Sequence, residues 1–221
     1  MFERRSCVPD RIRREGRAVI SVSDEGEFGL IARVIRRLRQ GPDVIVGPGD
    51  DAAVVVAPDG RVVVTVDLLV EGRHFRREWS TGYDVGRRAA AASLADVVAM
   101  GARPTSLVVG LAVPDRLDVG WADALADGLR DEAALVGASV VGGDISAADE
   151  VTIAVTALGD LEGRKPVTRA GAAPGDAVVL LGRIGWAAAG LALLEAGIDE
   201  HPLADAHRRP LVAYGAALAA A

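Results

Sequence analysis

Cysteine is almost missing from this 221-residue chain: Cys7 stands alone, so no intrachain disulfide forms and no thiolate metal cluster is available. That usage suits a reducing cytosol, and a cytoplasmic location is the expectation. Lysine is almost missing too. Of 25 basic residues only Lys165 is lysine. A P-loop needs lysine in G-x-x-x-x-G-K-[ST], and "EGRKPV" is no such loop. The strand lysine, H-R-D and D-F-G set of a protein kinase is absent as well. Any phosphate chemistry here uses another device. No apolar run is long enough to cross a bilayer as a helix, so no membrane role is expected. The N-terminal "MFERRSCVPDRIRREGR" carries charge throughout and lacks the apolar stretch of a secretory signal; Glu3, Asp10 and Glu15 make it a poor transit peptide. Positive charge is not in excess either. The formal net charge of −6 argues against nucleic acid as the main partner.

What is present is an ordinary globular composition, half apolar and a quarter charged. In "GEFGLIARVIRRLRQG", Ile31, Val34, Ile35 and Leu38 recur at helical spacing, with Gly41 as a C-cap. Residues 82–104 predict a helix closed by Gly101 and Pro104, and residues 118–136 another, starting near Asp118. The β-branched runs "DVIVG", "AAVVVA", "RVVVTVD", "SLVVGLAVP", "ASVVGGD" and "EVTIAVTALGD" predict strands. The expected fold is α/β: a mixed sheet covered by helices at 28–40, 82–100 and 118–136. Texture changes at "LEGRKPVTRAGAAPGD", rich in Gly, Pro and charge. Residues 1–23 therefore read as a tail, 24–162 as the main domain, and 163–221 as the start of a second domain. A strand "AVVLLG" and two Ala-rich helices are expected in that last part. One strand and two helices are too little for a stable domain, so either the sequence is truncated or its end docks on the first domain.

Four aspartates carry the functional signal. Asp51 and Asp144 each follow a glycine turn after an apolar run, and Asp67 closes "VVVTVD". Strand ends of α/β sheets are where ligands bind, although aspartate is also a common turn residue. Asp96 is more informative. In its helix the stripe Ala89, Ala92, Ser93, Val97, Met100 encloses it, which predicts a buried carboxylate. Such a group is paired or binds a metal. The nearest cations in sequence, Arg87 and Arg88, lie more than two turns away; a salt bridge to a distant arginine is the alternative. Read together, Asp51, Asp67, Asp96 and Asp144 form one converging oxygen cluster, suited to Mg²⁺ rather than zinc.

These residues resemble the thiamine-monophosphate kinase family, within the superfamily that includes aminoimidazole ribonucleotide synthetase and selenophosphate synthetase. The segments that carry the likeness are "GEFGLIARVI", "VGPGDDAAVV", "TVDLLVEGRHF", "SLADVVAMGARP", "VVGGDIS" and "VTRAGAAPGD". The resemblance implies transfer of the ATP γ-phosphate to thiamine monophosphate with the help of Mg²⁺. It implies Asp51, Thr65, Asp67, Asp96 and Asp144 as metal ligands, Gly143, Asp144 and Arg169 as nucleotide contacts, and His74 as a substrate contact. It also implies a homodimer formed through the N-terminal sheets. The chain departs from the family in places. Val66 stands where threonine is usual, Ser93 where asparagine is usual, Leu68 where a small polar residue is usual, and "GGDISAAD" replaces a Thr-rich turn. The family continues into a C-terminal third with an acidic "SDGL"-type segment that this sequence does not contain. Two further readings stand beside the kinase: a catalytically incompetent nucleotide- and Mg²⁺-binding remnant, and a sister ATP-dependent synthetase.

Overall fold

The computed structural model describes residues 20–48 and 53–220. Its elements, in chain order, are α1 (Val22–Glu25), α2 (Glu27–Ile35), β1 (Val44–Val46), β2 (Val54–Val55), β3 (Val63–Val70), α3 (Gly82–Ala99), β4 (Arg103–Val113), α4 (Val119–Ala134), β5 (Ser139–Ala147), β6 (Thr152–Asp160), α5 (Trp186–Glu195), α6 (Pro202–Arg208) and α7 (Tyr214–Ala220). β1 and β2 form a small antiparallel ribbon, and the main sheet has the order β3-β6-β4-β5. β6 runs antiparallel to both neighbours, whereas β4 and β5 are parallel and joined through α4. The expected mixed sheet is therefore present.

The two sheet faces differ. Ile153, Val155 and Ala157 of β6 and Leu107 of β4 are fully buried beneath α3 and α4. Each side chain of Val to Leu size contributes about 1.5–3 kcal/mol by leaving water. The opposite face is open. Val64, Val66 and Leu68 of β3 are 63%, 61% and 57% exposed there. β3 thus carries apolar side chains outward and Thr65 and Asp67 inward, by the period of two.

α3 and α4 approach unusually closely, and glycine makes that approach possible. A Cβ at Gly86 would fall 2.2 Å from the Leu125 carbonyl oxygen, and one at Gly128 would fall 2.2 Å from that of Tyr83. A capping box fixes where α3 begins. Thr81 Oγ1 accepts from Asp84 N at 3.2 Å, and Asp84 Oδ2 accepts from Thr81 N at 2.9 Å. The helix ends as expected, with Gly101 at φ 75° directly after the Met100 cap.

Three expectations fail here. α2 stops at Ile35, and Gly41 is no cap; its N–H donates to Ser139 Oγ at 2.8 Å. "AVVLLG" is not a strand. Val178 is fully exposed and Val179 73% exposed, because no described strand runs beside them to complete a ladder. Residues 163–185 contain no helix or strand. The end of the chain does dock, through α7. Tyr214 is 7% exposed, and its hydroxyl donates to Glu132 Oε1 at 2.6 Å. Glu132 also holds Arg87, which in turn reaches Tyr83.

Candidate metal and nucleotide site

Two elements bring oxygens together at the β3 edge. The strand alternation aims Thr65 and Asp67 at α3, and the i, i+3 spacing on α3 places Ser93 and Asp96 above them. Ser93 Oγ lies 3.0 Å from Asp67 Oδ2, and Thr65 Oγ1 donates to Asp96 Oδ2 at 3.2 Å. The result is two neighbouring carboxylates with two hydroxyls between strand and helix. Val66, sandwiched between Thr65 and Asp67 in sequence, turns its side chain to the open face and takes no part.

Asp96 is exposed, which corrects the expectation of a buried carboxylate. The buried stripe of α3 runs through Ala89, Ser93 and Val97, with Ala90, Leu94 and Val98 beside it. Ala92 and Met100, taken as part of that stripe from sequence, are only half-buried. Asp96 therefore sits just off the core, at the rim.

Asp144 is not with the other two. β5 is the far edge of the sheet, three strand spacings or about 14 Å from β3. Its face differs as well. Leu107 pairs with Val140 but Val108 pairs with Gly142, so Val141 is a bulge that reverses the alternation of the strand beyond it. Asp144 then shares a rung with Gly110, Ala154 and Leu68 on the open side, where Ser146 Oγ donates to it at 3.2 Å. Among the described residues no three acidic, histidine or cysteine side chains gather as a metal-holding group. The single converging cluster expected of one chain is thus not seen among them; Asp51 lies outside the described residues. The Asp67–Asp96 pair nevertheless fits Mg²⁺ by its chemistry. Its donors are all hard oxygens, and two carboxylates are what such an ion takes when substrate phosphates complete its shell.

Gly143 has a backbone reason of its own. A Cβ there would meet the Val109 carbonyl oxygen at 2.0 Å. Gly143 and Asp144 border an apolar cavity of about 850 Å³ between α2, α4 and the sheet edge, with Ile31, Ile35, Leu125 and Val108 among its walls. His74 lies in the tight turn after β3, where Gly72 at φ 76° donates its N–H to the Phe75 carbonyl at 2.8 Å. The Val70 N–H donates to His74 Nδ1 at 2.9 Å, leaving Nε2 as the nitrogen that carries the proton. Arg169 is exposed in the irregular segment after β6. The sequence places Ser93 in the buried stripe of its helix, and it is fully buried there; its contact with Asp67 was not legible from sequence.

Burial governs the cations on the outer side of α3. It lowers the pKa of Arg88, and together with Arg88 it lowers that of His207, whose Nε2 is 3.4 Å from the guanidinium. Burial also raises the Tyr214 phenol, with the Glu132 hydrogen bond adding to it.

The mixed sheet, with carboxylates and hydroxyls gathered beneath one helix and no phosphate-loop lysine, defines an α/β domain with acidic oxygens at its sheet edge. Residues 49–161 match the family described as AIR synthase related protein, N-terminal domain, and the chain belongs to that family. The thiamine-monophosphate kinase of Mycobacterium tuberculosis is 48% identical over 200 residues, covering 88% of this chain and 60% of its own length. That of Bacillus subtilis is 35% identical over 193 residues, covering 83% of this chain and 59% of its own. A solved structure of AaThiL complexed with AMPPCP and TMP is similar with a TM-score of 0.68 at 30% identity, covering 93% of this chain and 64% of that one. The chain spans about 60% of the length of the curated relatives it matches.

Proposed function

We propose that the chain is the ATP- and Mg²⁺-handling part of a thiamine-monophosphate kinase, transferring the ATP γ-phosphoryl group to the phosphate of thiamine monophosphate to give thiamine diphosphate and ADP. The observation that carries this is the Asp67–Asp96 pair at the β3 edge, in a chain whose relatives are named for that reaction. A bound Mg²⁺ supplies charge neutralisation for the transferring group. Asp67 and Asp96 present the oxygens that hold it, and Thr65 orients Asp96. Asp144, on the open face of the sheet, is a ligand of a separate ion in this reading, and Asp51 is a further ligand. Gly143, Asp144 and Arg169 contact the nucleotide, and the cavity beside the first two has the volume of a small-molecule site. His74 donates from Nε2 to the acceptor substrate. In this reading residues 24–162 are the catalytic N-terminal domain, 163–221 begin a second one, and the enzyme works in the reducing cytoplasm.

The open face supports a homodimer. Val64, Val66 and Leu68 form an exposed apolar strip on the side of the sheet that also carries Asp144. A second copy seated there removes that strip from water and brings its own residues to Asp144. Val66→Glu is expected to halve the sedimenting mass; an unchanged mass rejects this interface.

The test of the function is direct. Purified protein with ATP, Mg²⁺ and thiamine monophosphate is expected to form thiamine diphosphate, and an Asp96→Asn variant to form none above background. Equal product from both rejects the site. Nucleotide binding without product favours the second reading, a nucleotide- and Mg²⁺-binding protein without turnover. Turnover of other phosphate acceptors in preference to thiamine monophosphate identifies a sister synthetase.

A further inference from the structure

We infer that Ser93 is a positioning residue whose hydroxyl fixes the carboxylate of Asp67 for cation binding. The inference rests on the reading of Asp67 as a metal ligand. Ser93 is completely buried in the sheet-facing stripe of α3. A helical serine commonly turns its hydroxyl back to the carbonyl four residues earlier. Ser93 instead reaches across to the sheet, with Oγ 3.0 Å from Asp67 Oδ2 and 3.0 Å from the Val155 carbonyl oxygen.

A hydroxyl has one proton for these two acceptors. Val155 lies in β6, in register with Asp67 on one side and Val109 on the other, so its carbonyl belongs to a strand ladder already. A carboxylate oxygen is the stronger acceptor of the two. The proton therefore goes to Asp67 Oδ2, and Oδ1 is the oxygen that Ser93 does not engage. Thr65 does the same for Asp96. Ser93 touches neither substrate nor cation; it acts through Asp67.

The test follows Mn²⁺ binding in the full chain by the loss of the free-ion paramagnetic resonance signal, with AMPPCP present. Wild type is compared with Asp67→Asn, Ser93→Ala and Ser93→Cys; the cysteine keeps the volume and loses the strong donor. Both Ser93 variants are expected to weaken Mn²⁺ binding by about 10–100-fold, the usual effect of removing a partner behind a ligand. The metal-free melting temperature of Ser93→Cys is expected to stay at the wild-type value. Binding lost in Asp67→Asn but intact in both Ser93 variants overturns the inference alone. Weakened binding accompanied by a lowered metal-free melting temperature in both assigns Ser93 to the fold and also overturns it. Wild type binding no better than Asp67→Asn overturns the metal reading and this inference with it.

Discussion

Replacing Gly86 by alanine puts a methyl group where α3 and α4 touch backbone to backbone. The added carbon falls 2.2 Å from the Leu125 carbonyl oxygen and 2.9 Å from the Leu129 nitrogen. Neither atom is the end of a flexible side chain, so the helices must separate by roughly an ångström to restore ordinary contact. Overpacking of this kind costs about 1–3 kcal/mol. For a domain of this size that is a fall in melting temperature of about 2–12 °C. The same displacement reaches the site, because Ser93 and Asp96 ride on α3 two to three turns further along. Thermal unfolding followed by circular dichroism measures the first effect. Gly215→Ala is the control: nothing lies within 4 Å of its Cβ position, and α7 gains helix propensity of up to about 1 kcal/mol. If Gly86→Ala melts with wild type, the close helix contact is not as described and the reasoning fails.

Tyr214→Phe removes the hydrogen bond to the buried Glu132 while leaving Arg87 in place, and is expected to cost about 1.5–3 kcal/mol by chemical denaturation; no loss removes the anchoring role of α7. His207 has its pKa lowered by burial first and by Arg88 second. The unfolded chain therefore takes up its proton more readily, so the His207 contribution is fully present above the ordinary histidine pKa of about 6.5 and is lost as pH falls below it. Comparing melting temperatures at pH 7.5 and 5.5 is expected to show a smaller drop for His207→Gln than for wild type; identical drops reject the assignment.

Much of the architecture could be read from residues alone, and the failures have physical reasons. "RVVVTVD" and "EVTIAVTALGD" are strands because their β-branched side chains suit a pleated surface, and they become the paired β3 and β6. "AVVLLG" has the same local character and forms no strand, because strand formation is settled by a neighbour rather than by propensity. Asp96 was misplaced because the alanines of α3 give little contrast between its faces; only Val85, Leu94, Val97 and Val98 mark the core side clearly. Asp144 was misplaced by one residue of bulge. With strict alternation it would follow Val140 onto the helix-covered face, and Val141 turns it to the other. The glycines at 82, 86 and 128 become meaningful only when two helices face each other.

Calorimetric titration with AMPPCP, in Mg²⁺ and in EDTA, bears most directly on the claim that Asp67 and Asp96 hold a cation for nucleotide phosphates. Wild-type protein is expected to bind in Mg²⁺ and to lose that binding both in EDTA and in Asp67→Asn. Equal binding with and without Mg²⁺, or an Asp67→Asn variant that titrates like wild type, contradicts it.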